Sequence, residues 1–199
     1  MFKPILTLVL AVFMVQIAIA ADDVYTVNVE KSNMEWHGRK VTGEHTGAIN
    51  LKSGVLRFNA DRLIGGEFEV DMTSIVNFDI ESEEWNKKLV DHLKSDDFFS
   101  VESFPVAVFK ITEVKSNKVE GSDANYWIKG DLTIKGITNP IEFYAKVDKD
   151  GDTVMAHAEM TLDRAKWDVR YGSGSFFKGL GDKLIYDDFN MKVNLTALK

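Results

Sequence analysis

An alternation of apolar and polar residues, with a period of two, recurs along most of this chain. Residues 67–72 read EFEVDM, so Phe68, Val70 and Met72 point one way and the acidic residues point the other way. The same period recurs at residues 24–29, 128–134, 141–147, 158–162 and 189–195. Successive side chains of a strand point to opposite faces, so the pattern predicts antiparallel sheet with one apolar face and one wet face. Turn-rich segments at 61–66, 136–140 and 148–152 separate the strands, which is typical of a sandwich or a closed barrel.

One segment breaks this period and predicts a short helix between strands. Ser82 is a candidate N-cap, and two glutamates follow it in the first turn, where the helix dipole favours negative charge. Trp85, Leu89, His92 and Leu93 then fall at i, i+4, i+7 and i+8, which places them on a single helical face. We expect this lone helix to act as a lid on a barrel.

The end of this helix and the segment after it resemble the signature of the YceI-like family, which are bacterial extracytoplasmic proteins with a lipocalin-like barrel. The matching stretch is HLKSDDFF at 92–99, followed by Phe104-Pro105 and Phe109-Lys110, and further matches are GDLTIKG at 130–136 and LDR at 162–164. The resemblance implies an all-β fold, a lipocalin-like antiparallel barrel of about eight strands with one short capping helix. It also implies an elongated interior that binds isoprenoid or other long-chain amphiphiles.

Residues 1–20 have the features of a secretory signal peptide. Lys3 precedes an apolar run that only Thr7 and Gln16 interrupt, and Ala18-Ile19-Ala20 forms a small-x-small cleavage site. The alternative is an uncleaved membrane anchor, but the run of about sixteen residues is shorter than the roughly 20 that a spanning helix needs. We therefore expect one domain at 21–199, located in the periplasm or secreted.

The net charge and the absence of cysteine exclude several kinds of anchor and partner. The chain has a net charge of −7 and no cysteine, which excludes a lipoprotein anchor and a disulfide framework. The acidic balance argues against nucleic acid as a partner and against docking on anionic membranes. We expect no stable insertion into a membrane.

Patterns typical of enzymes are missing from the sequence. There is no G-x-S-x-G elbow, and the glycine-rich loop at 171–181 lacks the Lys and Ser or Thr that a phosphate loop needs after its glycines. Of the four histidines, His157 is expected on the surface and His92 in a packing role. His37 and His45 bracket a loop and could converge on a polar head group or a metal. We expect no catalysis and no cofactor, only a bound long-chain lipid.

The predicted ligand contacts are the inward residues of the barrel and the cap, with a few residues near its open end. Polyisoprenoid, quinone and fatty-acid-like molecules are the candidate ligands, because each buried CH₂ contributes about 0.8 kcal/mol without any polar contact. The candidates for a polar head group are Trp36, His45, Arg164 and Trp167. Asp168 departs from the aromatic-Gly of many relatives, and would disfavour an anionic head group if it pointed inward. The predicted wall residues are Phe68, Val70, Leu89, Leu93, Phe98, Phe109, Ile111, Ile128, Leu132, Phe143, Met160 and Met191.

From the residues alone a filled barrel is favoured, and only the resemblance to the family reverses this preference, so the filled barrel is the alternative hypothesis. The protein would then be a non-catalytic structural or interaction module acting through its outer face. Alternation places Trp127 outward, which indicates either a β-bulge or an interface where Trp is enriched, and Tyr144 lies on the next strand. A homodimer is the corresponding expectation.

Overall fold

The computed structural model describes residues 22–116 and 121–199. The predicted signal peptide, residues 1–20, lies outside the described residues. The strands are β1 (Asp23–Val27), β2 (Asn33–Lys40), β3 (Gly43–Asn59), β4 (Arg62–Asn77), β5 (Val106–Ser116), β6 (Tyr126–Ile134), β7 (Ile137–Asp150), β8 (Thr153–Asp163) and β9 (Ile185–Leu198). One α-helix, α1 (Glu83–Lys94), and three short 3-10 helices, Val29–Lys31, Arg164–Trp167 and Gly181–Lys183, complete the elements.

The sheet closes into an antiparallel barrel of eight strand positions, as predicted. Neighbouring strands pair in the order β3-β2-β9-β8-β7-β6-β5-β4, and pairing of β4 with β3 closes the ring. The short strand β1 extends the position of β2, since both pair with β3 and with β9 at different heights. The alternation seen in the sequence is the alternation between the interior and the outer surface of this barrel.

Tight hairpins connect several of the strands, and the glycines of the predicted family motif explain two local features. Lys135 and Gly136 both have positive φ, at 50° and 72°, which is the type I′ geometry that matches the twist of a two-residue hairpin. Gly130 lies on β6 under the ring of Phe109, where a Cβ atom would come within 2.5 Å of that ring. Glycine at this position therefore leaves room for Phe109 to lie against the sheet inside the barrel.

One end of the barrel is closed by packed side chains, and we call it the closed end. Tyr25, Phe58, Leu63, Tyr126 and Val154 are all buried there. The rings of Tyr25 and Phe58 pack edge to face at 5.3 Å, and the Tyr25 hydroxyl donates to the Gly151 carbonyl at 2.9 Å. The Tyr126 hydroxyl accepts from the amide of Leu63 at 3.4 Å. The hydroxyl groups of both tyrosines are thus paired, and buried side chains fill this end of the barrel.

Helix α1 caps the opposite end, which we call the mouth. Ser82 is the N-cap as predicted, although its hydroxyl makes no capping bond, and its carbonyl accepts from the amide of Asn86 at 2.8 Å. Leu89, His92 and Leu93 face the barrel interior. The prediction that Trp85 shares this buried face is wrong, since Trp85 is 57% exposed. Only the part of the helix from Leu89 onward lies over the interior, whereas Asn86 of the first turn donates to the carbonyls of Asn77 and Ile80.

On the outer wall, Trp127 of β6 pairs directly with Tyr144 of β7, and Lys115 lies 4.5 Å from the centre of the Trp127 ring. Trp127 points outward as alternation predicted and is half-buried. The neighbouring strand β5 shifts register between Ile111 and Glu113, so a bulge lies close to it but on the adjacent strand. Whether this surface forms a dimer stays a prediction. Across residues 22–116 and 121–199, the fold contains no helix of the length and apolarity needed to cross a membrane.

Candidate functional site

The interior of the barrel is a cavity of about 490 Å³ rather than a filled core. Its wall consists of the inward residues of strands β2 to β9, together with α1 and the segment after it. No Ser, Thr, Cys, Asp or Glu side chain lines the cavity in the described part of the chain. The filled barrel of the alternative hypothesis is therefore not what the structure shows.

Fifteen of the sixteen residues predicted as ligand contacts line this cavity, and the exception is Trp167. The barrel strands contribute Trp36, His45, Phe68, Val70, Phe109, Ile111, Ile128, Leu132, Phe143, Met160 and Met191. The cap contributes Leu89, Leu93 and Phe98, and Arg164 lies where β8 ends. The structure places these residues around one space, and ligand contact itself remains a prediction.

Trp167 lies behind the wall instead of at the mouth. It is 1% exposed, and its indole Nε1 donates to the Leu132 carbonyl at 3.0 Å. Its only polar group is thus satisfied by a neighbouring strand, and the ring fills space under the 3-10 turn that follows β8. Trp167 is accordingly a packing residue in this structure, and it offers no group to a ligand.

Arg164 borders the cavity, but most of its donors are bonded to the protein. Its guanidinium donates to the carbonyls of Tyr186, Val169 and Ile185 at 2.9–3.2 Å, and Nη2 lies 3.3 Å from Oδ1 of Asp187. Burial lowers the pKa of Arg164, while the nearby carboxylate of Asp187 opposes that change. The guanidinium therefore ties the strand β9 to the turn after β8, and little of its hydrogen-bonding capacity is left for a head group.

A second polar cluster holds His45 at the mouth. The Asp79 carboxylate accepts from the amide of Thr46 at 2.7 Å and from Nδ2 of Asn77 at 2.6 Å, and it lies 2.8 Å from Nδ1 of His45. Burial alone would raise the pKa of Asp79, but these three partners lower it to about 2. The cluster fixes the ring of His45, which lines the cavity.

His92 connects the cap to the loop after β8 through aromatic contacts. Its ring lies edge-on to Phe98 at 4.9 Å and to Tyr171 at 4.5 Å, and Nε2 lies 3.1 Å from the Asp97 carboxylate. Half-buried between these rings, His92 has the packing role that the sequence predicted. Tyr171 also lines the cavity, so this contact forms part of the mouth.

His37 and His45 do not converge. His45 pairs across the hairpin with Gly38, and His37 pairs with Thr46, so the two rings point to opposite faces of the sheet. His37 instead contacts Glu44 on the outer surface at 3.0 Å. In the parts of the chain that the structure describes, no group of three or more His, Cys, Asp or Glu side chains is arranged to hold a metal ion.

The loop after β8 brings residues to the mouth that sequence reasoning missed. Tyr171 and Tyr186 line the cavity, and so do Arg39 and Lys40 at the end of β2. Neither tyrosine belongs to the apolar alternation. Closeness to the matched LDR motif could have indicated Tyr171, whereas no signal in the sequence indicated Tyr186. Asp168 turns away from the interior, because its carboxylate pairs with Arg170 on the surface.

The geometry defines what this site can do chemically. It can bury an apolar chain inserted from the mouth, with the closed end below it and most of the polar lining residues around the opening; His157 of β8 borders the cavity further in. An apolar cavity of about 150 Å³ holds one benzene molecule, so this volume accommodates roughly eighteen carbon atoms. A chain of that length would take up most of the interior.

Comparison with curated proteins relates parts of this chain to bacterial relatives. A UPF0312 protein of Shewanella denitrificans is 31% identical over 105 residues, which are 53% of this chain and 50% of the relative. Protein YceI of Escherichia coli is 34% identical over 104 residues, which are 52% of this chain and 44% of the relative. The aligned part thus spans about half the length of these relatives or less.

Comparison with solved structures covers more of the chain at lower identity. BcnA of Burkholderia cenocepacia superposes with a TM-score of 0.66 at 20% identity, over 86% of this chain and 99% of that one. A polyisoprenoid binding domain from Saccharophagus degradans superposes with a TM-score of 0.61 at 12% identity, over 87% and 97%. At these identities the likeness establishes the fold. The model of the YceI-like domain, however, matches residues 25–197, and the chain therefore belongs to the YceI-like family.

Proposed function

We propose that this protein is exported and carries a long-chain amphiphile, isoprenoid or quinone-like, inside its barrel without catalysing a reaction on it. The observation that supports this most is the apolar cavity, closed at one end and capped by a helix at the other. A structural neighbour of the same fold is a polyisoprenoid binding domain, which favours a guest of that class.

The energetics favour a long guest over a short one. Roughly eighteen buried carbons at about 0.8 kcal/mol each contribute on the order of 14 kcal/mol. Association costs about 4–15 kcal/mol in lost freedom, so a guest filling half of the cavity would gain about 7 kcal/mol and be held weakly. Selectivity in this proposal comes from chain length and from the shape of the interior.

The mouth suggests where a polar head group would lie. Because Arg164 is engaged by three backbone carbonyls, we expect a head group to contact His45, Lys40 or the two tyrosines instead. Nδ1 of His45 faces Asp79, which leaves Nε2 as the ring nitrogen available to a guest.

Native mass spectrometry of protein purified from its own host, followed by solvent extraction, tests this proposal. The intact mass measures whether residues 1–20 are removed, and a discrete added mass measures the cargo. We expect a chain that begins at Ala21 and releases one long-chain lipid. A cargo-free mass in every preparation, together with no binding of a long-chain probe, would contradict the carrier function.

A further inference from the structure

Exposed aromatic residues are concentrated at the mouth of the barrel. Within the described residues, eight Phe, Trp and Tyr side chains are exposed, and Tyr144 alone lies on the outer wall. The other seven belong to segments at the mouth, and they are Phe78, Trp85, Phe104, Tyr171, Phe176, Phe177 and Tyr186. Tyr171 and Tyr186 are 45% and 46% exposed and also line the cavity, so the aromatic surface is continuous with the interior.

One part of the mouth is richer in cations than the chain as a whole, although neighbouring carboxylates offset part of its charge. We define the rim as the hairpin tip at residues 39–42, the loop at 170–183 and Tyr186. The rim contains five cationic side chains and one carboxylate, whereas the chain contains 24 and 31. Asp168 next to the rim pairs with Arg170. Asp96 and Asp97 of the cap line a surface groove beside the rim, in which four cationic side chains face four carboxylates. The rim residues with charge are Arg39, Lys40, Arg170, Lys178, Asp182 and Lys183.

The loop holds its two phenylalanines outward by its own hydrogen bonds. Phe176 and Phe177 are 41% and 49% exposed, and the amides of both donate to the carbonyl of the fully buried Ser173, at 3.3 and 3.0 Å. Ser175 ties the loop to the barrel, since its hydroxyl donates to Asp187 at 2.7 Å. The turn that carries both exposed rings is thus held by hydrogen bonds, and Arg170 lies over the Phe176 ring at 4.9 Å.

We propose that the rim is a membrane-docking surface, through which cargo passes directly between an anionic phospholipid bilayer and the cavity. Aromatic rings flanked by cations are the side chains that settle at the interface between lipid head groups and water. The four rim aromatics offer on the order of 400 Å² when about half of each ring is exposed, which is below the roughly 800 Å² that each partner contributes to a stable protein interface. A bilayer requires no such area, and it is where a long-chain lipid resides.

This inference rests on the proposed carrier function, and it revises what net charge alone indicates. The acidic balance of the whole chain argues against anionic membranes, but attraction falls off within about 10 Å at ordinary salt, so the nearest charges dominate. Docking would keep the apolar chain out of water during transfer.

Flotation with vesicles of phosphatidylethanolamine and phosphatidylglycerol tests the proposal on the purified protein. The test variant is Phe176→Ser/Phe177→Ser. The matched control is Tyr144→Ser/Met155→Ser, which removes two exposed apolar side chains from the wall. We expect the wild type and the control to float with the vesicles. The test variant should bind the vesicles at least about tenfold more weakly. Lys178→Glu/Lys183→Glu should lose binding to these vesicles in the same way.

Several outcomes would overturn the docking surface. These are a wild type that does not float, a test variant that floats as well as the Tyr144→Ser/Met155→Ser control, and a test variant that changes only the oligomeric state in sedimentation velocity. Thermal melting and the amount of extracted cargo show whether each variant is folded and loaded. Loss of cargo with flotation intact would refute the carrier function alone, whereas loss of flotation with cargo intact in the wild type would refute docking alone.

Discussion

A large side chain introduced at one position of the cavity wall should weaken ligand binding without lowering the stability of the protein. Ala158 lies on β8 between Ala145 of β7 and Val193 of β9, and all three line the cavity. Phenylalanine at position 158 would therefore direct its ring into open space, with small neighbours on both sides. We expect Ala158→Phe to fold and to lose its capacity for a long guest.

The magnitude follows from the size of the cavity. A benzene-sized ring occupies about 150 Å³, which is about a third of the 490 Å³ available. A guest that gives up about six carbons loses about 5 kcal/mol, so its affinity should fall on the order of 1000-fold. The stability of the empty protein should change by less than about 1 kcal/mol, because the ring enters a void and does not displace packed atoms.

Ala197→Phe is the matched control at the closed end. Ala197 is fully buried and does not line the cavity, so the ring would overpack the core and cost about 1–3 kcal/mol. For a domain of this size, each kcal/mol lowers Tm by about 2–4 °C. Calorimetry of both delipidated variants and titration with a fluorescent long-chain probe check these expectations. Equal loss of Tm in both variants would show that no void exists at position 158, and unchanged probe affinity would place the guest elsewhere.

Two further perturbations test the polar groups at the mouth. The pKa of Asp79 is lowered to about 2 in the folded protein, whereas it is near 4 in the unfolded chain. The contribution of Asp79 to the stability of the fold is therefore fully present above pH 4 and is lost as the pH falls towards 2. Asp79→Asn, which breaks the pairing with His45 and Thr46, should lower Tm at pH 6 and flatten the fall of Tm between pH 5 and pH 2. Parallel curves of Tm against pH for the wild type and the variant would contradict this. Arg164→Leu removes the cation beside the half-buried carboxylate of Asp187, which keeps the hydroxyl of Ser175 as a partner, and should cost about 3 kcal/mol in urea unfolding. Adding Asp187→Asn should restore part of that loss, and strictly additive losses would show that the pair is not coupled.

Alternation could predict the barrel wall because the wall obeys one local rule. Phe68, Ile128 and Met191 each lie in a run with period two, and each points inward in the structure. Closure of the sheet is a different matter, since it depends on the pairing of β3 with β4 around the ring. Periodicity carries no information about that pairing, and only the resemblance to a family supplied it.

The predictions that the structure does not support concern side chains whose direction depends on strand register or on tertiary packing. His37 and His45 are eight residues apart, yet one residue of register decides whether they share a face, and the hairpin puts His45 opposite Gly38. Trp167 lies in a 3-10 turn, where no period of two applies. Its ring is buried in a place where the indole N–H can donate to the carbonyl of Leu132. Motif position alone could not indicate either orientation.

In the proposed carrier, closure of one end would make the mouth the route for both loading and release. The aromatic contacts of Tyr171 with the cap are the edge-on packing against His92 at 4.5 Å and the tilted packing against Phe98 at 5.5 Å. Aromatic pairs of this kind contribute about 0.5–1.5 kcal/mol beyond the area they bury, whereas the buried chain contributes several times more. In the proposed carrier, opening of the cap would therefore be a minor barrier, and we expect the escape of the chain from the apolar interior to set the residence time of the cargo. A carrier with that balance releases cargo into water slowly, and it gains most from an opening that faces an apolar acceptor.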